Sequence, residues 1–130
     1  MLPKFRAWDT TLKIMHDVQI IDWISETVGV DAIGGVLETP LKELKLMQST
    51  GLKGQNGIEV FDGDIVRLFN VGFIYKGVVA QNSATYWWIK GVGTSTDFTF
   101  EDVADYRNYT CELEVIGNIY ENQDLLEVAK

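Results

Sequence analysis

From Asp64 onward the chain is a series of short apolar runs, each closed by glycine or a polar turn. The run 65-IVRLF-69 is β-branched and aromatic. It is followed by 72-GFIYKGVVA-80, 85-TYWWIKG-91, 98-FTFEDV-103 and 112-ELEVIGNIYEN-122. Residues of this kind suit a pleated, half-buried surface. Spacings of about ten residues with turn signals between them predict a small β-barrel or sandwich. Gly77 interrupts its run and predicts a bulge. The segment 98–103 reads as an edge strand. Asn122 is placed to cap a short C-terminal helix over 124-DLLEVAK-130.

The first forty residues are patterned less clearly. In 4-KFRAWDTTLKIMH-16 the polar Asp9-Thr10-Thr11 separates two apolar-containing stretches, predicting a hairpin. The stretch 17-DVQIIDWISETVGV-30 partly fits a helical face, but its β-branched density favours a strand over 18–24. Three glycines and a proline in 29-GVDAIGGVLETP-40 predict a loop. The next segment, 41-LKELKLMQ-48, reads either as one helical turn or as a strand. The expected division is an N-terminal β-containing portion, 1–40, and a barrel domain, 41–130. The whole is mainly β.

Turn chemistry concentrates in 46-LMQSTGLKGQNGIEVFDGDIVRL-68. Asn56-Gly57 predicts the tip of a hairpin or tight loop. At Gly63-Asp64, glycine takes a backbone geometry other residues resist and the carboxylate bonds to nearby N–H groups. Ile65 and Val66 then begin a strand, and alternation should bury only one of them. Gly117-Asn118, inside the last strand, predicts a second bulge or close approach.

The same stretch invites a search for chemistry. Glu59, Asp62 and Asp64 are oxygen ligands in kind, but the spacing of a calcium-binding loop is absent. The glycines of 51-GLKGQNG-57 lack the Gly-Lys-Ser/Thr ending of a phosphate loop. His16 is the single histidine and Cys111 the single cysteine, so neither a transition-metal site nor an internal disulfide is expected. Cys111, beside a strand, reads as a small hydrophobe. No catalytic residue, metal ligand or cofactor-binding residue is assigned, and the expectation is a protein that is not an enzyme and carries no cofactor.

Charge and length then narrow the partners. The 130 residues suffice for a real core. Nineteen acids against 11 Lys and Arg give a net charge of −8, and the bases form no cluster. Nucleic-acid backbones are bound through clustered Lys and Arg, so the balance argues against nucleic acid and for a protein partner. No apolar run approaches the ~20 residues of a membrane helix. The start, MLPKFRAWD, lacks an apolar leader; together with a lone cysteine it predicts a cytoplasmic setting. The aromatic run 86-YWW-88 is the favoured interface. Alternation sends Tyr86 and Trp88 to one face and Trp87 to the other, and exposed Tyr and Trp mark interfaces. Base stacking by these rings is the rival use. An acidic surface imitating DNA toward a host nucleic-acid-binding protein is a variant of it.

Three blocks, 5-FRAWD-9, 46-LMQSTGLKGQNGIEVFDGDIV-66 and 115-VIGNIYENQDLL-126, together resemble the YopX family of phage and prophage proteins. The blocks stand in the family's order and span nearly the whole chain. Phe61-Asp62 stand where the family tends to have Tyr-Glu, and Gln123 where it often has Pro. The intervening 67–112 carries no family signature, which points to that region for individual specificity. The resemblance implies an SH3-like β-barrel in the second half behind an N-terminal β portion. It also implies a bacterial or phage origin, an intracellular setting and self-association as a homo-oligomer; a host or phage protein is the further partner expected from the acidic balance and the clustered Trp and Tyr. It implies no known activity and no catalytic residues.

Overall fold

A computed structural model describes residues 4–70, 72–81 and 86–127 of the chain. Nearly all of the regular structure is strand, as the patterning predicts. The chain divides into two compact units, residues 1–49 and 50–130.

The first unit is an antiparallel sheet. Its strands are β1 (Phe5–Asp9), β2 (Ile14–Asp22), β3 (Thr27–Ala32), β4 (Gly35–Pro40) and the first part of β5 (Leu44–Lys53), in the order β5-β1-β2-β3-β4. The β1–β2 hairpin closes over 10–13. There the Asp9 carboxylate accepts hydrogen bonds from the Thr11 and Leu12 N–H groups at 2.9 and 2.8 Å. Ala7, Val28, Val30 and Leu44 form its core, with Val18, Ile21, Leu41 and Leu46 packed around them.

Three expectations change here. The glycine-rich 29–40 is not a loop but the β3–β4 hairpin, paired in register from Thr27↔Pro40 to Ala32↔Gly35. Two of its three glycines serve the turn itself: Gly34 and Gly35 have φ of 90° and 140°, conformations that a Cβ disfavours. The strand expected over 18–24 ends at Asp22, whose carboxylate binds the Ile24 and Ser25 N–H groups and turns the chain. The boundary lies at 49/50 rather than near 40, because Leu44–Gln48 pair with β1. The segment after Pro40 contains both predicted forms, a 3-10 turn (Leu41–Glu43) and then β5.

In the second unit the end of β5 pairs with β6 (Glu59–Phe61). Lys53 of β5 also pairs, in parallel, with Thr110 of β12 (Thr110–Cys111), which lies beside β11 (Ala104–Asp105). The main sheet is a meander of β7 (Asp64–Asn70), β8 (Phe73–Gln81), β9 (Trp87–Gly91) and β10 (Phe98–Thr99). Strand β13 (Glu114–Asn118) returns beside β7, giving the order β10-β9-β8-β7-β13. The core is continuous: Leu52, Val60, Val66, Leu68, Val79 and Ile89 meet Phe98, Phe100, Val103, Cys111 and Leu113.

The hydrogen-bonded sheets are open among the described residues, where the family resemblance implies an SH3-like barrel. The free end at β10 has a local cause. The Asp102 carboxylate takes the Thr99 N–H at 3.0 Å and its hydroxyl at 3.2 Å, and the chain leaves the sheet in a 3-10 turn (Phe100–Asp102). For this reason the edge strand expected over 98–103 is two residues long. Gly77 sits in regular register between Val66 and Gly91, not in a bulge. Its lack of a Cβ answers a close approach instead, since a Cβ there would lie 2.8 Å from the Lys90 carbonyl oxygen. Ile65 and Val66 are both fully buried, so the start of β7 is covered on both faces.

The last strand ends at Asn118, short of the expected 122. A single 3-10 turn (Gln123–Leu126) follows as the short C-terminal helix. The Asn122 side chain does not cap it; its carbonyl oxygen accepts the Asn118 N–H at 3.1 Å. The tail of the expected helix, 128–130, lies outside the described residues.

Candidate functional site: an aromatic groove in the second unit

Strand β9 begins with two adjacent tryptophans, and alternation gives them different surroundings. Trp87 packs against the core cluster, with its ring 6.5 Å from that of Phe100. Trp88 carries the Lys90 ammonium 5.0 Å from its ring centre, an arrangement a cation and a π face favour. The Trp88 indole nitrogen is buried and has no hydrogen-bond partner among the described residues. Tyr86 precedes the strand and is 68% exposed.

Tyr86, Trp87 and Trp88 all contribute to the lining of a groove of about 460 Å³. The rest of the lining comes from the end of β10 and the 3-10 turn after it, with Thr99, Phe100 and Glu101, and from Tyr106 beyond β11. Tyr106 is 59% exposed, Glu101 is exposed, and Phe100 is anchored in the core at 2%. Next to the groove, the Asp105 carboxyl is held below its ordinary range. The Asn108 side chain is the main cause, with the Arg107 and Asn108 N–H groups adding to it.

The other residues singled out from the sequence lie elsewhere. Gly57, with φ of 78°, and Asn56 form the β5–β6 turn. There Gly57 N–H binds the Gly54 carbonyl, Gln55 N–H the Leu113 carbonyl and the Asn56 amide the Val115 carbonyl. The N–H groups of Gly54, Gln55 and Gly57 are thus committed within the protein rather than turned to a phosphate. Gly63, with φ of 83°, turns the chain into β7. The buried Asp64 carboxylate accepts the Phe61 N–H at 2.7 Å. Gly117 follows a register shift from Val115, and Asn118 organises the turn after it by accepting the Tyr120 and Glu121 N–H groups.

His16 lies in the first unit, its side chain about nine-tenths buried. Its Nδ1 is 3.3 Å from the Asp31 carbonyl and its Nε2 3.9 Å from the Asp9 carboxylate. Cys111 is buried in the second unit, and desolvation pushes its thiol up to about 11. Among the described residues no three His, Cys, Asp or Glu side chains are arranged to hold a metal ion, and no helix is long and apolar enough to cross a membrane.

The second of the three blocks that carry the family resemblance thus holds most of β5, β6 and the start of β7 with the turns between them, the third holds most of β13 and the turns after it, and the first, 5-FRAWD-9, is β1 with the aspartate that closes its hairpin. The family model described as YopX protein matches residues 4–127. The chain belongs to the YopX family. At the level of structure this YopX-family chain is similar to protein EF1440 from Enterococcus faecalis, known from a crystal structure. The sequences are 27% identical, the alignment covers 98% of this chain and 99% of that one, and the TM-score is 0.63. No curated protein matches. The groove lies within 67–112, between the second and third of the blocks that carry the resemblance. The alternation of aromatics and acids in 97-DFTFEDVADY-106 is the sequence signal that could have announced its second wall.

Proposed function

We propose that this YopX-family chain is a phage or prophage accessory protein, cytoplasmic in a bacterial host, that binds another polypeptide rather than catalysing a reaction. The observation that carries the reading is the groove: aromatic rings from two elements flank a cleft of about 460 Å³, with Tyr86 and Tyr106 largely exposed. Clefts of this size, apolar with a few polar groups, are typical binding sites. Tyr and Trp are the residues that dominate binding energy at protein interfaces. The order of the second unit supports an SH3-like reading of its fold, since a four-strand meander is followed by a 3-10 turn and a last strand returning beside the first.

Capture of host proteins by the wild type and by a Tyr86→Ala/Tyr106→Ala variant tests the groove. The expected result is a partner retained by the wild type and lost by the variant at unchanged melting temperature. Identical capture by both would reject the groove as the binding surface. Single-stranded nucleic acid is the alternative occupant of the same rings, and a DNA-mimicking role the alternative for the acidic surface. Glu101 in the groove and the net charge of −8 place base stacking second.

Self-association is proposed for the first unit. It is supported by the exposed Ile20 and Val36 of β2 and β4, with Trp23 and Ile24 in the turn after β2. Light scattering across a concentration series should show growth in mass; a monomer throughout would end this part of the reading.

A further inference from the structure

Strand β4 is an open edge of the first unit's sheet. The unpaired N–H and C=O groups of such an edge invite another strand, and proteins usually blunt it with a lysine, a bulge or a very short strand. Here the register from Thr27↔Pro40 to Ala32↔Gly35 is unbroken, and 35-GVLETP-40 holds Glu38 but no lysine or arginine. By contrast β10, at an edge of the other sheet, has two residues, and the Asp102 carboxylate takes its Thr99 N–H.

The pairing decides which groups of β4 are free. The Leu41 N–H donates to the Glu26 carbonyl at 2.8 Å. Bonded and non-bonded pairs alternate along an antiparallel ladder. Gly35, Leu37 and Thr39 therefore turn their backbone groups to β3, and Val36, Glu38 and Pro40 turn theirs outward. Pro40, which has no N–H, stands where the sheet asks for none. Side chains alternate as well. Thr39 is buried on the core face, opposite Val28, and Leu37 lies on that face opposite Val30, half exposed at its margin. Val36 is on the other face, close to Gly29 and Ile20.

A second copy of the chain suits this edge for two reasons. With a two-fold axis at Leu37, Val36 of one copy and Glu38 of the other exchange N–H···O=C bonds in both directions, so each of these outward N–H groups finds an acceptor. Leu37 then meets Leu37 of the second copy at the closer, non-bonded spacing, and Glu38 is kept from standing opposite its own copy. The same register also carries a knob to a cleft. Residue 33 of one copy falls opposite residue 41 of the other. Ile33 is fully exposed in the β3–β4 turn, while Thr27, Pro40 and Leu41 line a cleft of about 480 Å³ at the opposite end of β4. Knob and cleft lie at the two ends of one strand, so a two-fold axis between them makes both contacts at once.

Resting on the reading that the first unit self-associates, we propose that its partner is a second copy bound edge to edge: the two β4 strands pair antiparallel about Leu37, and Ile33 of each copy sits against Pro40 and Leu41 of the other. One strand and two turn tips make less than the roughly 1,600 Å² of a standard interface, so the dimer is reversible.

Cross-linking of the full chain reads the axis. Cysteines facing each other at a non-bonded antiparallel pair are close enough for a disulfide, and the native Cys111 is buried. Under mild oxidation Leu37→Cys should run as a covalent dimer on a non-reducing gel. Ile24→Cys, exposed in the turn after β2, should not. Glu38→Pro removes only an outward N–H, and Ile33→Asp places a charge at a fully exposed position. Each should weaken the dimer at least about tenfold in sedimentation equilibrium, at unchanged melting temperature. Wild-type growth in mass that both variants leave intact, with no Leu37→Cys cross-link, overturns the edge pairing and leaves self-association to the face of Ile20 and Val36. A wild type that stays monomeric throughout, again without a cross-link, removes the edge pairing and the underlying reading together.

Discussion

Three aspartates make the same turn in different parts of the chain. Asp9, Asp22 and Asp105 each accept the N–H groups two and three residues on. In each case the residue four positions on has positive φ: Lys13 at 58°, Glu26 at 54° and Tyr109 at 55°. That conformation costs a non-glycine residue roughly 1–2 kcal/mol, and the paired carboxylate bonds help to hold it. Replacing Glu26 with glycine relieves the strain but adds freedom to the unfolded chain. The expected net effect is a gain of up to about 1 kcal/mol, measurable by chemical denaturation. Acid should act on the same motif. Backbone and side-chain hydrogen bonds lower the carboxyl of Asp22, those of Ser25 above all, and the Asn108 side chain lowers that of Asp105. A folded-state value below the unfolded one gives stability that is present above the ordinary 3.8 and is lost as pH falls through the lowered value. Melting curves of the wild type and Asp105→Asn between about pH 5 and pH 2 should therefore differ in slope, the variant falling less steeply.

At the scale of elements, the turn at Gly63-Asp64 joins β6 to β7, and its carboxylate is enclosed. Asp64→Ala leaves the Phe61 N–H without the acceptor it has at 2.7 Å. The expected loss is about 1–3 kcal/mol by denaturant unfolding. The asymmetric Asp64→Asn, which keeps an acceptor oxygen, should lose less. Most strands were legible in the sequence because alternation, β-branching and turn residues agree from Asp64 onward. The β3–β4 hairpin was not, because Gly34-Gly35 signals a turn as readily as a loop, and β4 is edge-like and largely exposed. The 3-10 turn after β10 was missed for a different reason. It depends on one side chain, Asp102, reaching back to Thr99, which periodicity does not register. Half of the groove was legible as well: 86-YWW-88 announces itself by composition. Its other wall is brought there by the fold, from residues some ten or more positions further along the chain.

Across the molecule, the YopX signature and the groove occupy different places. The family blocks hold β1, most of β5, β6, most of β13 and the corners at Asp64 and Asn118, where side-chain oxygens accept backbone N–H groups. The groove lies between the second and third blocks, and there the rings of Tyr86 and Tyr106 remain largely exposed. The four tryptophans allow a direct test, because Trp87 and Trp88 line the groove while Trp8 and Trp23 belong to the first unit. Titrating the full chain with a peptide from the captured partner protein, while following the four indole N–H resonances by NMR, reads the site and its controls together. The account predicts saturable shifts at Trp87 and Trp88, silence at Trp8 and Trp23, and loss of the response in Tyr86→Ala/Tyr106→Ala. Shifts confined to Trp8 and Trp23, or none at any accessible peptide concentration, would contradict it.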